Sequence, residues 1–252
     1  MMETVRICGL NVGRIGMQAA VEMIAERAKR RQGGWLALLN LEMVARAKKQ
    51  PEYFELLKQA DIVLADGMPI VWASNKIGLP IPERVAGVDL TQRLLADTFD
   101  FRISIIGGEN PSLALSKIGI ANEKRFQIDT GIVQADATGI ARIEAMLKEH
   151  DPQLVFLALG VGKQDIIASK LKAALPGAVI MGVGGSFEMI AGIKKRAPRA
   201  MQKIGMEWLF RLMIEPKRLW KRYLVNYPPG AIWLMRCVRE EKRRLRKEAA
   251  AR

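Results

Sequence analysis

Short apolar runs alternate with longer amphipathic stretches over the first three quarters of the chain. The runs, such as residues 35–39, 62–65 and 178–183, contain few polar residues, which is typical of strands buried on both faces. Between the runs, apolar residues recur at helical spacing, as over residues 17–29. This alternation predicts an α/β fold with a mostly parallel sheet and with helices on both faces.

The same pattern assigns the individual elements of a Rossmann-like domain. Residues Gly9 to Gly16, with glycine at 9, 13 and 16 and Asn11 among them, are expected to form a loop. Strands are predicted over residues 4–8, 35–39, 62–65, 101–106, 126–129, 153–159 and 178–183. Helices are predicted over residues 17–29, 41–49, 51–59, 68–77, 111–122, 137–149 and 165–174, with one more ending at about 96.

The pattern changes near Lys194, where strand signals stop and basic and aromatic residues dominate. Helices are expected over residues 201–214 and 217–225, and the segment Tyr227-Pro228-Pro229-Gly230 is expected to break the second. A last helix is expected from 231 to about 248. The chain is therefore predicted to contain an α/β domain over 1–193 and a basic helical appendage over 194–252.

Composition narrows the class of partner. The 252 residues carry a formal net charge of +14 with a pI near 10.0, which implies an anionic partner: nucleic acid, a phosphate-bearing substrate or an anionic membrane surface. Cys8 and Cys237 stand at opposite ends and suggest no disulfide framework. With the single His150, they make no metal cluster. No signal peptide and no run of 18 apolar residues is recognised.

Asp66 follows the predicted strand 62–65 directly, and Gly67 and Pro69 come after it. In open α/β sheets, ligands bind beyond the carboxyl ends of strands, which is where this carboxylate stands. Its side chain could instead cap the helix that starts near Pro69, and position alone favours that cap.

Other strand ends carry groups suited to a phosphate ligand. Glycines there let backbone N–H groups approach an anion, and the following helix start favours its charge. No P-loop motif, G-x-G-x-x-G fingerprint or Asp-x-Asp pair is present, so Arg, Lys and backbone dipoles would have to neutralise a diphosphate. Arg84 is a candidate for this, or a surface arginine. The strand-end groups are Asn40, Gly107-Gly108, Gly160-Val161-Gly162-Lys163-Gln164 and Gly184-Gly185.

A general base would have to be a carboxylate. His150 ends a predicted helix, where a histidine interacts with the helix dipole. Asp66 and Asp89 are the leading candidates, and Glu188 is a third that suits a turn or a cap.

The basic, aromatic tail allows two functional interpretations. Arginine and lysine among aromatic residues could bind nucleic acid. Alternatively, apolar residues on one helix face and basic residues on the other describe a helix lying on anionic lipid, which the tryptophan content favours. Some of the apolar positions would pack on the α/β domain in either case.

Several segments, in order, resemble the WecG/TagA/CpsF glycosyltransferases, glycosyltransferase family 26, over about residues 11–226. The segments are 65–72 (ADGMPIVW), 84–90 (RVAGVDL), 160–165 (GVGKQD), 196–198 (RAP), 207–212 (EWLFRL) and 215–223 (EPKRLWKRY).

The resemblance implies an inverting, metal-independent and cofactor-free transferase. It would move a hexosyl unit (N-acetylmannosaminyl, its uronic acid or glucosyl) from a UDP-sugar to an undecaprenyl-diphosphate-linked sugar in cell-surface polysaccharide synthesis. It would be cytoplasmic and peripheral on the inner face of the cell membrane. Asp66 matches the family's base, Gln164 and Asn40 would assist it, and Arg211, Arg218 and Arg222 would meet membrane and diphosphate. The residues expected to bind substrate or nucleotide are Gly67, Arg84, Asp89, Gly107, Gly160, Gly162, Lys163 and Gly184.

Three positions depart from the family pattern. Leu38 replaces a threonine two residues before Asn40, Asp165 replaces a glutamate, and Glu188 replaces an aspartate. The expected reaction class is unaffected by these three changes, but they leave the identity of the donor sugar open. The competing hypothesis is a non-catalytic protein whose tail binds nucleic acid, and self-association is left open.

Overall fold

Six parallel strands form the central sheet of the computed structural model, which describes residues 2–96, 100–120 and 123–251. Two further strands form a separate antiparallel hairpin. The strands are β1 (Thr4–Ile7), β2 (Leu10–Gly13), β3 (Gly34–Leu39), β4 (Ile62–Ala65), β5 (Ile103–Gly107), β6 (Phe126–Asp129), β7 (Leu154–Ala158) and β8 (Val179–Gly182).

Most helices lie close to the predicted positions, and the predicted α/β class is confirmed. The prediction of a helix over 111–122 is too long, since this helix ends at Lys117, and residues 121 and 122 lie outside the described residues. The helices are α1 (Met17–Lys29), α2 (Leu41–Lys49), α3 (Pro51–Leu57), α4 (Met68–Ile77), α5 (Gly87–Ala96), α6 (Pro111–Lys117), α7 (Ala137–His150), α8 (Lys163–Ala174), α9 (Ser186–Ile190), α10 (Arg199–Lys203), α11 (Glu207–Ile214), α12 (Pro216–Trp220) and α13 (Tyr227–Ala250).

The sheet has the strand order β4-β3-β8-β7-β5-β6, with every neighbouring pair parallel. Leu39 pairs with Ala65 at the ends of β3 and β4, and Leu157 pairs with Gly182 on β7 and β8. Because parallel strands end at the same edge, the loops after these four strands lie side by side.

The two faces of the sheet are covered by different helices. On β3, Trp35, Ala37 and Leu39 face one apolar cluster, while Leu36 and Leu38 face the other. The first cluster includes buried residues of α2, α4, α8 and α13, and the second includes buried residues of α1, α5 and α9. Helices on both faces were predicted, and the structure confirms them.

The expected loop over residues 9–16 is wrong, because Leu10–Gly13 forms strand β2. Leu10 and Val12 are buried while Asn11 between them is exposed, an alternation typical of a strand that the neighbouring glycines obscured. The connecting turn is Cys8-Gly9, with φ of 47° and 82°, as a two-residue type I′ hairpin turn requires.

Two helix predictions in the C-terminal part are also wrong. The single helix expected over 201–214 is two helices, interrupted at Gly205, whose φ is 74°. The expected break at Tyr227-Pro228-Pro229-Gly230 is absent: a π-helical turn over Lys221–Asn226 leads straight into α13. Pro228 and Pro229 fall where the π-helical turn joins α13, so their missing N–H groups lie at the change from the wide turn to the α-helix.

Helix α13 packs along α2 and α4. Leu234, Cys237 and Val238 are buried in the first apolar cluster, and Gly230 lies so close to Ala45 that no side chain would fit. The domain boundary at 193/194 stays a prediction. Among the described residues, no helix is long and apolar enough to cross a membrane.

Candidate active site

A cavity of about 1010 Å³ lies between the carboxyl edge of the sheet and the C-terminal helices. One wall is made by the loops after β3, β4, β7 and β8. The other is made by α11, α12, the π-helical turn and the start of α13. Predicted site residues that line it are Asn40, Asp66, Gly67, Arg84, Gly160, Gln164, Gly184, Arg211, Arg218 and Arg222.

Asp66 directly follows β4 at the floor of this cavity. Its Oδ1 accepts a hydrogen bond of 2.9 Å from the N–H of Gly87, the first residue of α5. The alternative that Asp66 caps α4 is wrong, since Gly67 is the N-cap residue of α4 and no side chain caps it. The carboxylate is therefore fixed from across the site, by a neighbouring helix.

Burial raises the pKa of Asp66 above its ordinary value, while the Gly87 N–H and the charge of Arg84 act in the opposite direction. A carboxylate with a raised pKa holds a proton more strongly. It is therefore a better general base than a free aspartate, provided that it is ionised at the working pH.

Asn40 caps helix α2. Its Oδ1 accepts hydrogen bonds from the backbone N–H groups of Glu42 and Met43, at 3.0 and 3.2 Å. Its Nδ2 donates to the carbonyl of Leu38 at 3.4 Å. The oxygen of Asn40 is thus engaged by the helix, and the amide nitrogen is the group that remains to meet a ligand.

Gln164 lies in the first turn of α8 and is only 5% exposed. Its Oε1 accepts a 3.0 Å hydrogen bond from the N–H of Gly184. This bond connects the start of α8, which follows β7, to the loop after β8. Gly182 has no room for a side chain, because a Cβ there would lie 2.4 Å from the Gln164 amide nitrogen. Gln164 is therefore held rigidly in the cavity wall.

Ion pairs connect the sheet side of the cavity to the C-terminal helices. Glu207, at the start of α11, pairs with Arg84 at 3.0 Å and with Arg211 at 3.1 Å, and all three are partly buried. Arg222 in the π-helical turn pairs with Glu42, and its Nε donates to the Tyr227 hydroxyl at 2.8 Å. Neither Glu207 nor Tyr227 was predicted as a site residue.

Asp89 does not line the cavity, although its partner does. The two terminal nitrogens of the Arg196 guanidinium, Nη1 and Nη2, donate to the carboxylate of Asp89, each at 2.6 Å, and Arg196 lines the wall. Burial alone would raise the pKa of Asp89, but these bonds hold it below the usual value. A carboxylate paired in this way is poorly suited to accept a proton.

Three predicted ligand residues also lie outside the cavity wall. Lys163 donates to the carbonyl of Val133 at 2.8 Å, and the N–H of Gly162 donates to Asp165 at 2.8 Å. Gly107, with φ of 81°, lies against Leu159. Their roles stay predictions, and the contacts that they make are within the protein.

Glu188 was weighed only as a third base, suited to a turn or a cap. The structure places it in the short helix α9, 8% exposed and lining the cavity. One carboxylate oxygen pairs with Lys194 at 3.2 Å. Among the described residues, the other oxygen is buried and has no hydrogen-bond partner.

The cavity is predominantly basic and has an apolar rim. Four acidic side chains line it against seven basic ones, which favours an anionic ligand. Trp72, Trp208 and Leu224 are 45%, 40% and 58% exposed at its border. No group of three His, Cys, Asp or Glu side chains is arranged to hold a metal ion within residues 2–96, 100–120 and 123–251. The basic residues are Lys76, Arg84, Lys194, Arg196, Arg211, Arg218 and Arg222.

Comparison with known proteins decides the family. The model of the glycosyl transferase WecG/TagA/CpsF family matches residues 5–247, almost the whole chain. The chain belongs to this family. The resemblance inferred from the six segments is confirmed, and the cavity with Asp66 at its floor is the candidate active site of a glycosyltransferase.

Three similar proteins carry the name N-acetylglucosaminyldiphosphoundecaprenol N-acetyl-beta-D-mannosaminyltransferase. The protein from Bacillus subtilis is 32% identical over 216 residues, which is 83% of this chain and 82% of the relative. Those from Bacillus spizizenii and Staphylococcus aureus are 31% and 30% identical, over 77% and 73% of this chain and 76% and 74% of the relatives.

Proposed function

We propose that this glycosyltransferase moves a hexosyl unit, N-acetylmannosaminyl in the first instance, from a UDP-sugar to a polyprenyl-diphosphate-linked sugar at a membrane surface. The observation that carries the proposal is the position of Asp66, a fixed carboxylate at the floor of a basic cavity. The names of the relatives support the lipid-linked acceptor and the sugar. The proposal extends them to this chain.

In the proposed reaction, Asp66 accepts the proton of an acceptor hydroxyl as its oxygen attacks the anomeric carbon of the donor. The bond from that carbon to the UDP oxygen breaks in the same step. A single displacement inverts the anomeric configuration. The raised pKa of Asp66 supports this role, since the proton is transferred to a stronger base.

The departing diphosphate would be stabilised by arginines and backbone N–H groups, without a metal. Arg84 and Arg211 approach Asp66 closely enough to influence its pKa, and Arg218 lines the same cavity. Positive charge at this point stabilises negative charge that develops as UDP leaves. Gln164, held by Gly184, would orient the donor.

Exposed tryptophans of the rim and of α12 support docking on a membrane. Trp72, Trp208 and Trp220 are each at least 40% exposed, and tryptophan prefers the interface between water and lipid. Arg218 and Lys217 on α12 add positive charge that would attract anionic headgroups. The polyprenyl chain of the acceptor would pass over this rim while its sugar reaches Asp66.

The arrangement of the arginines favours a transferase over a nucleic-acid-binding protein. Arg211, Arg218 and Arg222 line the same cavity as Asp66, rather than a separate basic surface. A carboxylate repels the phosphates of a nucleic acid, so a nucleic-acid-binding surface is not expected to have one at its centre.

The proposal is tested by release of UDP from a panel of UDP-sugars, with and without short-chain polyprenyl-diphosphate-linked N-acetylglucosamine, in the presence of EDTA. Acceptor-dependent release from one donor is the expected result. Release that requires added Mg²⁺ or Mn²⁺ would contradict the metal-independent mechanism. Folded protein that binds duplex DNA tightly and transfers no sugar would contradict the reaction itself.

A further inference from the structure

The two cysteines of the chain, distant in sequence, meet where α13 crosses the N-terminal hairpin. Cys8 begins the turn between β1 and β2, and Cys237 lies in the middle of α13. They are 8% and 9% exposed, both are free thiols, and both line the same small cavity. The sequence separation had given no reason to expect this contact.

A small cavity of about 280 Å³ opens at this thiol pair. Both cysteines line it, together with charged side chains from β1 and α13. It shares no lining residue with the active-site cavity. Its volume is several times that of a water molecule, so a reagent as small as hydrogen peroxide can reach the sulfurs. The charged residues are Arg6, Glu240, Glu241 and Arg244.

The requirements of the turn do not account for a cysteine at position 8. The φ of Cys8 is 47°, and asparagine, aspartate or glycine is the usual residue at this position of a type I′ turn. A cysteine accepts this conformation at some cost in backbone energy. The contact with Cys237 gives the residue a role that the turn does not.

The two thiols differ in acidity because they share one hydrogen bond. The bond to Cys237 and burial both raise the pKa of Cys8. The bond from Cys8 lowers the pKa of Cys237, against the opposing effects of burial and of the Glu240 charge. Cys237 is therefore the sulfur that ionises first, with Cys8 as the donor beside it.

We propose that Cys8 and Cys237 form a reactive dithiol site for a hydroperoxide, and that oxidation joins them in a reversible disulfide between the hairpin and α13. The site is independent of the sugar-transfer reaction, since none of its residues takes part in the active-site cavity.

The chemistry needs one hydroperoxide for each pair of thiols. The Cys237 thiolate attacks the peroxide, the O–O bond breaks, and Cys237 becomes a sulfenic acid while hydroxide or alkoxide leaves. The Cys8 sulfur then attacks the Cys237 sulfur, and the disulfide forms with loss of one water. Two thiols and hydrogen peroxide thus give one disulfide and two waters.

The crosslink would secure the helix that borders the active site. Leu234 and Met235, three and two residues before Cys237, line the active-site cavity. Because residues 8 and 237 enclose nearly the whole chain, the crosslink removes many conformations from the unfolded state. The midpoint of thermal unfolding is expected to rise by about 10 °C in the oxidised protein.

The test uses the full-length reduced protein and one equivalent of hydrogen peroxide. The expected product is monomeric and lighter by about 2 Da, resists alkylation at both cysteines and yields a peptide linking Cys8 to Cys237. Dithiothreitol restores both thiols and the lower unfolding midpoint. Oxygen added to one cysteine without a crosslink, disulfide-linked dimers, or two thiols that remain free to alkylate would each overturn the proposal.

Single substitutions provide matched controls. In Cys8→Ser, Cys237 has no resolving partner, so peroxide adds about 16 Da as a sulfenic acid that dimedone traps. In Cys237→Ser, burial still raises the pKa of Cys8, whereas in Cys8→Ser the serine hydroxyl can still donate to Cys237, so Cys8 should react at least about tenfold more slowly than Cys237. Equal rates in the two variants would overturn the assignment of Cys237 as the attacking sulfur. Both variants should keep the unmodified transfer rate.

Discussion

The two walls of the active-site cavity are held in place by different kinds of interaction. On the sheet side, Asp66, Asn40 and Gln164 each accept hydrogen bonds from backbone N–H groups. On the helical side, Glu207 and Arg222 hold their positions through ion pairs with Arg84, Arg211 and Glu42. A hydrogen bond from the backbone fixes the orientation of a side chain, whereas an ion-paired side chain can exchange its partner for another charged group.

This difference suggests a division of work. Backbone hydrogen bonds orient a base to within the narrow limits that proton transfer needs. Arginines paired with carboxylates can instead turn to the phosphates of an incoming substrate, because a phosphate offers the same two-oxygen geometry. We therefore expect the sheet side to determine the rate of the chemical step and the helical side to determine binding.

The largest expected effect is that of Asp66→Asn. The amide keeps the shape and can still accept from Gly87, but it takes no proton, so kcat should fall by about 10³-fold. The control is Asp89→Asn, which alters an ion-paired carboxylate outside the cavity. Steady-state UDP release measures both. A loss of kcat in Asp89→Asn as great as that in Asp66→Asn would remove the distinction between the two carboxylates.

The pH dependence examines the same residue without substitution. Burial raises the pKa of Asp66, so the acid limb of the kcat profile should lie above the ordinary aspartate value of about 3.9. Activity should fall about tenfold per pH unit below that limb, because only the ionised form accepts a proton. An acid limb at or below the ordinary value would contradict the buried environment.

The Asp66 contribution to the free energy of unfolding should fall as pH rises, whereas activity rises. A raised folded-state pKa means that the folded protein binds the proton more strongly, so this contribution to stability is lost as pH rises through the folded pKa. Asp66→Asn carries no such titration. Its free energy of unfolding, relative to wild type, should therefore improve above that pH, measured by urea denaturation at several pH values.

Salt should weaken the interactions of the helical side more than the hydrogen bonds of the sheet side. Raising NaCl from 50 to 500 mM screens exposed arginines and lysines, so binding to anionic vesicles should weaken by about tenfold or more. Sedimentation with vesicles of phosphatidylglycerol measures this, and neutral phosphatidylcholine vesicles are the control. Binding to both vesicle types that ignores salt would show that charge does not drive docking.

Removing the central charge of the ion-pair chain should mainly affect binding. Glu207→Gln leaves Arg84 and Arg211 without their shared partner, and KM for the acceptor should change by about three- to tenfold with kcat nearly constant. The control is Glu215→Gln, which removes the partner of Arg218 outside this chain of ion pairs. A fall in kcat with an unchanged KM in Glu207→Gln would show that Glu207 acts in the chemical step.

The smallest expected effect is at Asn40, which caps α2 through its oxygen and has an amide nitrogen that could meet substrate. Asn40→Ala removes the N-cap of α2, which should cost about 1 kcal/mol and lower the midpoint of unfolding by about 2–4 °C. Asn40→Asp keeps a capping oxygen, loses the amide donor and adds a negative charge at the start of α2. If the amide meets substrate, Asn40→Asp should lose activity while keeping its unfolding midpoint.

The sequence was sufficient for the sheet and for part of the sheet-side wall. Runs such as 62–65 are apolar on both faces, and a carboxylate directly after one of them lies at the ligand edge by geometry. Asn40, Asp66 and Gln164 were found in this way or through the family segments. The hairpin strand β2 was missed, because glycines at 9 and 13 suggested a loop despite the alternation of Leu10 and Val12.

The helical side was less predictable, because its contacts join residues far apart in the chain. Glu207 and Arg84 are separated by 123 positions, and no local pattern announces their pairing. Glycines at strand ends are needed for the fold as often as for a ligand, which is why Gly107 and Gly162 were proposed yet lie outside the cavity wall. The meeting of Cys8 and Cys237 depends on the same long-range packing.

The central claim is that Asp66 acts in the chemical step and contributes little to binding. The most direct measurement is equilibrium binding of UDP and of a short-chain lipid-linked acceptor to Asp66→Asn, by calorimetry, beside its turnover. We predict Kd values within about threefold of wild type for both ligands, although transfer is nearly abolished. Loss of binding in parallel with turnover would contradict the claim and assign Asp66 to substrate binding.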